Sequence, residues 1–315
     1  MSHAQAANRG HDQQGVLLEL NPAARANETA LSAQPFPGRG DSPLDRRIVA
    51  FYLVFHVALI GVFVVPLSTP DVLIFVASYA LRMFGISAGY HRYFSHRSFK
   101  TGRGFQLVLA LLAMASWQRG VLWWASTHRW HHSQSDRPGD EHSPAQYGLW
   151  RAHAGWLLYR RNSRLKADLV RDLVRFPELA FLDRHYHVVP MAWAFGTLLV
   201  GGLPGLYWGF VVSTLLLFHV MGLGNSLAHW RGPRRYNTPD NSRNSVLYSL
   251  GTLGEFHNNH HHDPSSANQR RAWWELDLIH LALKLLSKTG LVWDLRLRHG
   301  TRRGILVDSA RGPFV

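Results

Sequence analysis

VLIFVASYALRMFGISAGYHRYFSH (72–96) decides the fold. Its first 19 residues carry a single charge, Arg82, over a length that crosses a bilayer as a helix. It then runs directly into His91 and His96. IVAFYLVFHVALIGVFVV (48–65) precedes it across the turn PLSTPD, and is uncharged and of spanning length. Further along, VVPMAWAFGTLLVGG (188–202) and LYWGFVVSTLLLFHVMGLGNSLA (206–228) form a second apolar pair split by a short Gly/Pro turn. The expected fold is an all-α integral membrane protein with four transmembrane helices in two hairpins, at about 48–66, 72–90, 188–202 and 206–228. FQLVLALLAMASW (105–117) is short for a span and is expected to lie at the interface, over about 104–117.

Charge placement sets the expected topology. The turns at 66–71 and 201–205 contain no Lys or Arg, whereas 91–187 carries Arg92, Arg97, Lys100, Arg103, Arg119, Arg129, Arg160, Arg161, Arg164 and Lys166 among others. The positive-inside rule then puts both termini and a helical cap, built from 91–187 and 229–298, on the cytoplasmic side. The expected location is a bacterial inner membrane. The 315 residues include 34 Lys+Arg and 20 Asp+Glu, a net +14 that this topology and the attraction of lipid headgroups account for, without nucleic acid. The chain has no cysteine, which excludes disulfides, thiolate zinc sites and iron–sulfur clusters held by this chain. Residues 1–45 read as a disordered polar tail with no cleaved leader, 46–298 as the membrane domain, and 299–315 as a basic tail.

The 20 histidines are clustered. His91 and His96 follow the second run; HRWHH holds His128, His131 and His132; HNNHH holds His257, His260 and His261, with His262 adjoining; His229 closes NSLAH. Positions i, i+3 and i+4 share a helical face, so each HxxHH points three imidazoles one way. His91 and His96, five apart, share no face of a regular helix and require a helix end or bend. One HxxHH on a basic helix reads as surface histidine. Two of them plus an HxxxxH, all at the ends of apolar runs, read as a metal centre. So many imidazoles exceed what one zinc takes, and imidazole suits iron, which implies two metals with room for O₂. His56 and His219 lie inside spans and are expected to bond across helices. His3, His11, His280 and His299 are expected to be solvated. His142, His153, His185 and His187 match no ligand spacing.

At GISAGYHRYFSHRSFKT, HRWHH, AHAGWLL, NSLAH and GEFHNNHHHDP, the sequence resembles the membrane di-iron fatty acyl desaturases of the stearoyl-CoA type, over about 48–297. The resemblance implies nine ligands to two Fe ions: His91, His96, His128, His131, His132, His229, His257, His260 and His261. It also implies that Asn225 holds a metal-bound water and that a kinked tunnel, with Gln118 and Trp124 in its wall, places an acyl chain beside the metals. Ser126 and Thr127 stand where animal acyl-CoA enzymes carry an Arg-Asp pair, and Arg119 replaces a usual Asn. That leaves acyl-CoA, acyl-ACP and a phospholipid-bound chain all open as the long-chain substrate.

The implied chemistry is O₂-dependent removal of two hydrogens to give a cis double bond, at Δ9 on the resemblance. A mid-chain methylene has neither an acidic proton nor a leaving group, so acid–base catalysis alone cannot do this. With no cysteine and no HPGG haem segment, the electrons must come from a separate ferredoxin, rubredoxin or cytochrome with its reductase. A histidine-rich membrane hydroxylase would use similar metals; NSLAH combined with HNNHH favours desaturation. A non-enzymatic metal carrier would place polar groups at mid-membrane near broken helices, not at one face. If the tunnel follows the second span, its floor lies about 18 Å from the His91 backbone, or about 12 residues back. That count lands on Tyr79, with Phe75 one turn deeper.

Overall fold

The computed structural model describes residues 42–297. The expected tails fall outside the described residues except at 42–45, as do His3, His11 and His299.

Helix α1 (Arg46–Ala58) starts at Asp45, whose carboxylate accepts the Arg47 N–H at 3.0 Å, and continues as a 3₁₀ turn to Phe63. None of its residues is buried, and Leu53, Val54, Val57 and Ile60 face outward. Helix α2 (Thr69–Phe84) opens on a capping box between Ser68 and Asp71, with Pro70 in the first turn where its missing N–H costs nothing. It widens into a π-helix over Gly85–Ser95. Among the described residues, three helical runs are long and apolar enough to cross a membrane: Arg46–Phe63, Thr69–Ser95 and the 42-residue Val188–His229. The last holds α5 (Val188–Leu206), a π segment (Tyr207–Val212) and α6 (Ser213–Asn225). The expected third and fourth helices are thus one helical run, broken at Gly202 by φ 61° and ψ −154°. Leu203 and Pro204 follow, and Gly205 and Gly209 both lie against Thr197, so the chain doubles back on itself.

Helix α3 (Arg103–Met114) has 12 residues, too few to span. A Cβ on Gly85 would stand 2.4 Å from the Ala113 nitrogen, so α3 crosses the π segment backbone to backbone. Val108 and Leu111 on its far face are exposed. Arg82 is fully buried where α2, the end of α3 and the third run meet. It donates to the carbonyls of Ser78, Ala115 and Gly209 and to the hydroxyls of Ser213 and Thr214, and no carboxylate among the described residues pairs with it. A two-stranded ribbon, β1 (Lys100–Thr101) with β2 (Val292–Trp293), ties the end of the described chain to the segment after the π-helix.

Candidate metal centre

The π-helix resolves the five-residue spacing of the first histidine pair. Its i to i+5 pattern places the His96 N–H on the His91 carbonyl at 3.2 Å, so residues five apart share a face. The two rings lie 5.0 Å apart. Helix α4 (Val121–Gln134) supplies His128, His131 and His132. Its first turn is held by Asp183, which accepts the N–H groups of Leu122 and Trp123 at 2.8 and 3.1 Å. Arg129, in the middle of HRWHH, donates to the carbonyls of Phe94 and Ser95 and to Asp172, which fixes α4 against the π segment. Helix α7 (His257–His262) is short and is set by its two asparagines. Asn258 accepts from the backbone of Arg235 and Tyr236, and Asn259 donates to the Gln269 carbonyl and to Glu275.

The nine histidines form two groups. His91, His96, His128, His132 and His260 make one, and His131, His229, His257 and His261 the other; within each, one ring nitrogen per residue lies within 4.8 Å of the rest. In the first group the Nε2 atoms stand 2.9 Å apart for His91–His260, 2.8 Å for His96–His128, 3.1 Å for His128–His132, and 3.1 and 3.0 Å from His260 to His96 and His132. In the second, His229 and His257 approach to 2.8 Å. Two nitrogens bound at about 2.1 Å to one metal stand about 3.0 Å apart at a right angle and about 3.4 Å apart at a tetrahedral angle. The observed spacings match the right angle, and five donors exceed a zinc tetrahedron. Lone pairs converging this closely repel one another unless a cation sits among them. The donor set fits a five- or six-coordinate metal.

Four carboxylates stand behind the rings. Glu255 accepts from His91 Nδ1 at 2.9 Å, Asp140 from His131 at 3.1 Å, Asp136 from His229 at 2.7 Å and Asp240 from His261 at 2.7 Å. Each accepts the Nδ1–H, which keeps the proton on Nδ1 and leaves Nε2 as a lone-pair donor facing inward. Burial, then the neighbouring imidazoles, push His128, His132, His257 and His260 well below the usual histidine range, so they stay neutral and able to ligate. Burial would raise Asp240, but its hydrogen bond and attraction to His261 more than offset that and keep it ionised. Sequence reasoning missed all four carboxylates. The available signal was weak: Asp136 and Asp140 follow HRWHH closely, and Glu255 sits two residues before His257.

The remaining histidines sort as follows. His56 and His219 meet across helices at 3.1 Å, as expected, and His153 extends the chain to His219 at 3.0 Å and to Ser226 at 2.9 Å. His142, unassigned from sequence, stacks on His131 at 4.5 Å and groups with His131 and Asp140. His262 stacks on Tyr236 at 3.8 Å, outside both groups. His280 is not solvated but half-buried: it sits in the first turn of α8 (Leu278–Lys288), where its N–H meets Asp277 at 2.8 Å.

A cavity of about 380 Å³ opens beside the first group, where His128, Trp124, Gln118 and Asn225 are in its wall. It continues between α1 and α6, past Phe51, Phe55, Trp117, Leu215 and Phe218. Tyr79 and Phe75 are not in this wall. Tyr79 donates to the Gly251 carbonyl at 2.6 Å and stacks with Phe75 at 6.3 Å. The second span is itself packed against α3 and the 207–212 segment.

A family model described as fatty acid desaturase matches residues 68–294. The hex-5-enoyl-[acyl-carrier protein] acetylenase of Moorena producens (strain JHB) is 34% identical over 256 residues, 74% of this chain and 78% of the relative. The sn-2 palmitoyl-lipid 9-desaturase of Nostoc sp. (strain 36) is 33% identical over 262 residues, 81% and 92% respectively. The acyl-CoA C20 Delta5-desaturase of Anemone leveillei is 35% identical over 258 residues, 78% and 82%.

Proposed function

The chain belongs to the fatty acid desaturase family, and from that premise we propose that it is an O₂-dependent desaturase placing a cis double bond, at Δ9, in a long saturated acyl chain. The observation that carries the reading is two groups of converging imidazoles beside a largely aromatic cavity. Two Fe ions would be held, one by His91, His96, His128, His132 and His260, the other by His131, His229, His257 and His261, with a water at Asn225. Bound there, iron supplies the O₂-derived oxidising power that an unactivated C–H bond demands. The chain's own residues bind and orient the substrate. Phe51, Phe55, Trp117, Leu215 and Phe218 hold the acyl tail and exclude water, while Trp124, stacked on His128 at 4.9 Å, fixes the wall facing the first group. Electrons come from a separate ferredoxin, rubredoxin or cytochrome. The substrate is an acyl-CoA, acyl-ACP or phospholipid chain.

The test is gas chromatography–mass spectrometry of fatty acids from cells expressing the chain, with double bonds derivatised to locate them. A new cis monoene is expected. A hydroxylated chain, or an unchanged profile in iron-loaded cells, would overturn the reading.

For topology we propose four spans, with the doubled-back 188–229 run counting as two, and with both metal groups and both termini on the cytoplasmic side. Arg171 can report this, because its side chain is 73% exposed and the chain has no cysteine. Arg171→Cys should react with a membrane-impermeant maleimide only after the cells are opened. Labelling in intact spheroplasts would place this segment outside and refute the topology.

A further inference from the structure

Four polar atoms of residues lining the acyl cavity lie out of solvent with no partner: Gln118 Nε2, Thr127 Oγ1, His142 Nδ1 and Trp156 Nε1. Thr127 and His142 are 5% exposed and Trp156 is 6% exposed. Buried polar groups are ordinarily hydrogen-bonded, so four orphans lining one cavity point to something that occupies it. Their chemistry narrows what that is. An indole N–H only donates. The Gln118 amide also presents its donor end, because its carbonyl oxygen already faces the Trp124 indole N–H at 3.4 Å. Thr127 and His142 adapt to either role; the Asp140 carboxylate stands 3.9 Å from His142 Nδ1, beyond hydrogen-bond reach. Two obligate donors require an acceptor. None of the four carries a fixed charge, which suits a neutral oxygen better than a carboxylate or phosphate.

The subsite adjoins the metal groups. Thr127 precedes His128 and lies one turn before His131 in α4. The His142 ring stands 4.5 Å from His131 and 4.7 Å from Trp156. Resting on the acyl-desaturase reading, we propose that Gln118, Thr127, His142 and Trp156 bind a neutral oxygen of the acyl substrate and so fix how many carbons separate that oxygen from the metals. That oxygen is either the carbonyl of the acyl ester or thioester, or a hydroxyl borne by the chain. Both present the same acceptor, and the test separates them.

Isothermal titration on the iron-loaded, detergent-solubilised protein would compare three probes: 1-stearoyl-lysophosphatidylcholine, its 1-O-octadecyl ether, which lacks the carbonyl, and the 12-hydroxystearoyl ester. A hydrogen bond made inside a dry cavity changes affinity by roughly tenfold. Ester over ether by about tenfold, falling to within about twofold in Thr127→Val and in Trp156→Phe, identifies the head carbonyl. The hydroxy ester over the plain ester, with the same collapse, identifies a chain hydroxyl. If neither pair is discriminated, or if discrimination survives both variants, the proposal fails and ordered water is the occupant. Thr127→Val is nearly isosteric and decides the matter alone if Trp156→Phe does not fold. The fatty acid profile of expressing cells is read separately: a monoene without probe discrimination sinks the subsite only, whereas its absence sinks the desaturase reading.

Discussion

His260→Ala is expected to abolish desaturation and to lower bound iron, by about 100-fold or more in affinity for the first group. His260 is the hub of that group: its Nε2 stands within 3.1 Å of the same atom in His91, His96 and His132. Removing the ring deletes a donor and also the wall against which three others are packed, so the loss exceeds that of one bond. The two groups are neighbours, since His132 stacks on His261 at 4.4 Å and lies 5.6 Å from His131. His131→Ala should therefore disable activity through the second group just as completely. His56→Ala is the control; it breaks the 3.1 Å bond to His219 but touches neither group, and iron per folded protein should not change. Iron measured by mass spectrometry on purified protein decides the point. Full iron and full activity in either ligand variant would remove the metal centre from the account.

The apolar runs, the short α3 and the clustering of the histidines were legible because each depends on local pattern: apolar run length, helical face, residue type; that the third and fourth runs form one helical run broken at Gly202 was not. His56 and His219 were also legible as a pair, because a polar group inside a span must find a partner there. The sharing of a face by His91 and His96 was visible only as a demand for irregular geometry. The π-helix meets it, with Gly85 and Gly89 admitting α3 against the widened turns. What was illegible is what the fold brings from far along the chain. Glu255 reaches Arg92 across 163 residues and Asp136 reaches His229 across 93, and no spacing rule connects them. The roles of Asn258 and Asn259 are equally non-local, since their hydrogen bonds tie α7 to Arg235 and to Gln269. The path of the cavity is illegible for a similar reason. A count of residues gives depth along one helix, but which helix faces the cavity is decided by what packs against the others.

Glu255 carries the second large effect, because one carboxylate there serves both the metal group and the fold. It is 2% exposed; one oxygen accepts from His91 Nδ1 at 2.9 Å, and the other meets the Arg92 guanidinium at 3.2 Å. Burial would raise its pKa, but the attraction of His91 and Arg92 prevails and holds it down to about 2, so it is ionised at any working pH. Arg92 is itself buried and turns to Asp277 at 3.1 Å for its other ion pair. Glu255→Gln keeps an acceptor for His91 but sets an amide N–H₂ against the guanidinium, donor facing donor. The expected cost is about 1.5–3 kcal/mol in stability, with iron affinity at the first group lower by roughly 10–100-fold. Glu255→Ala adds an unmet half of a buried ion pair, at about 3–5 kcal/mol. Asp277→Asn separates the two roles. Asp277 touches Arg92 and caps α8 at His280 but meets no ligand histidine, so the melting temperature should fall while iron affinity of the folded protein holds. Chelator competition and thermal melts on the three variants give both quantities. Equal iron affinity in Glu255→Gln and the parent would show that Glu255 braces the fold and does nothing for the ligand.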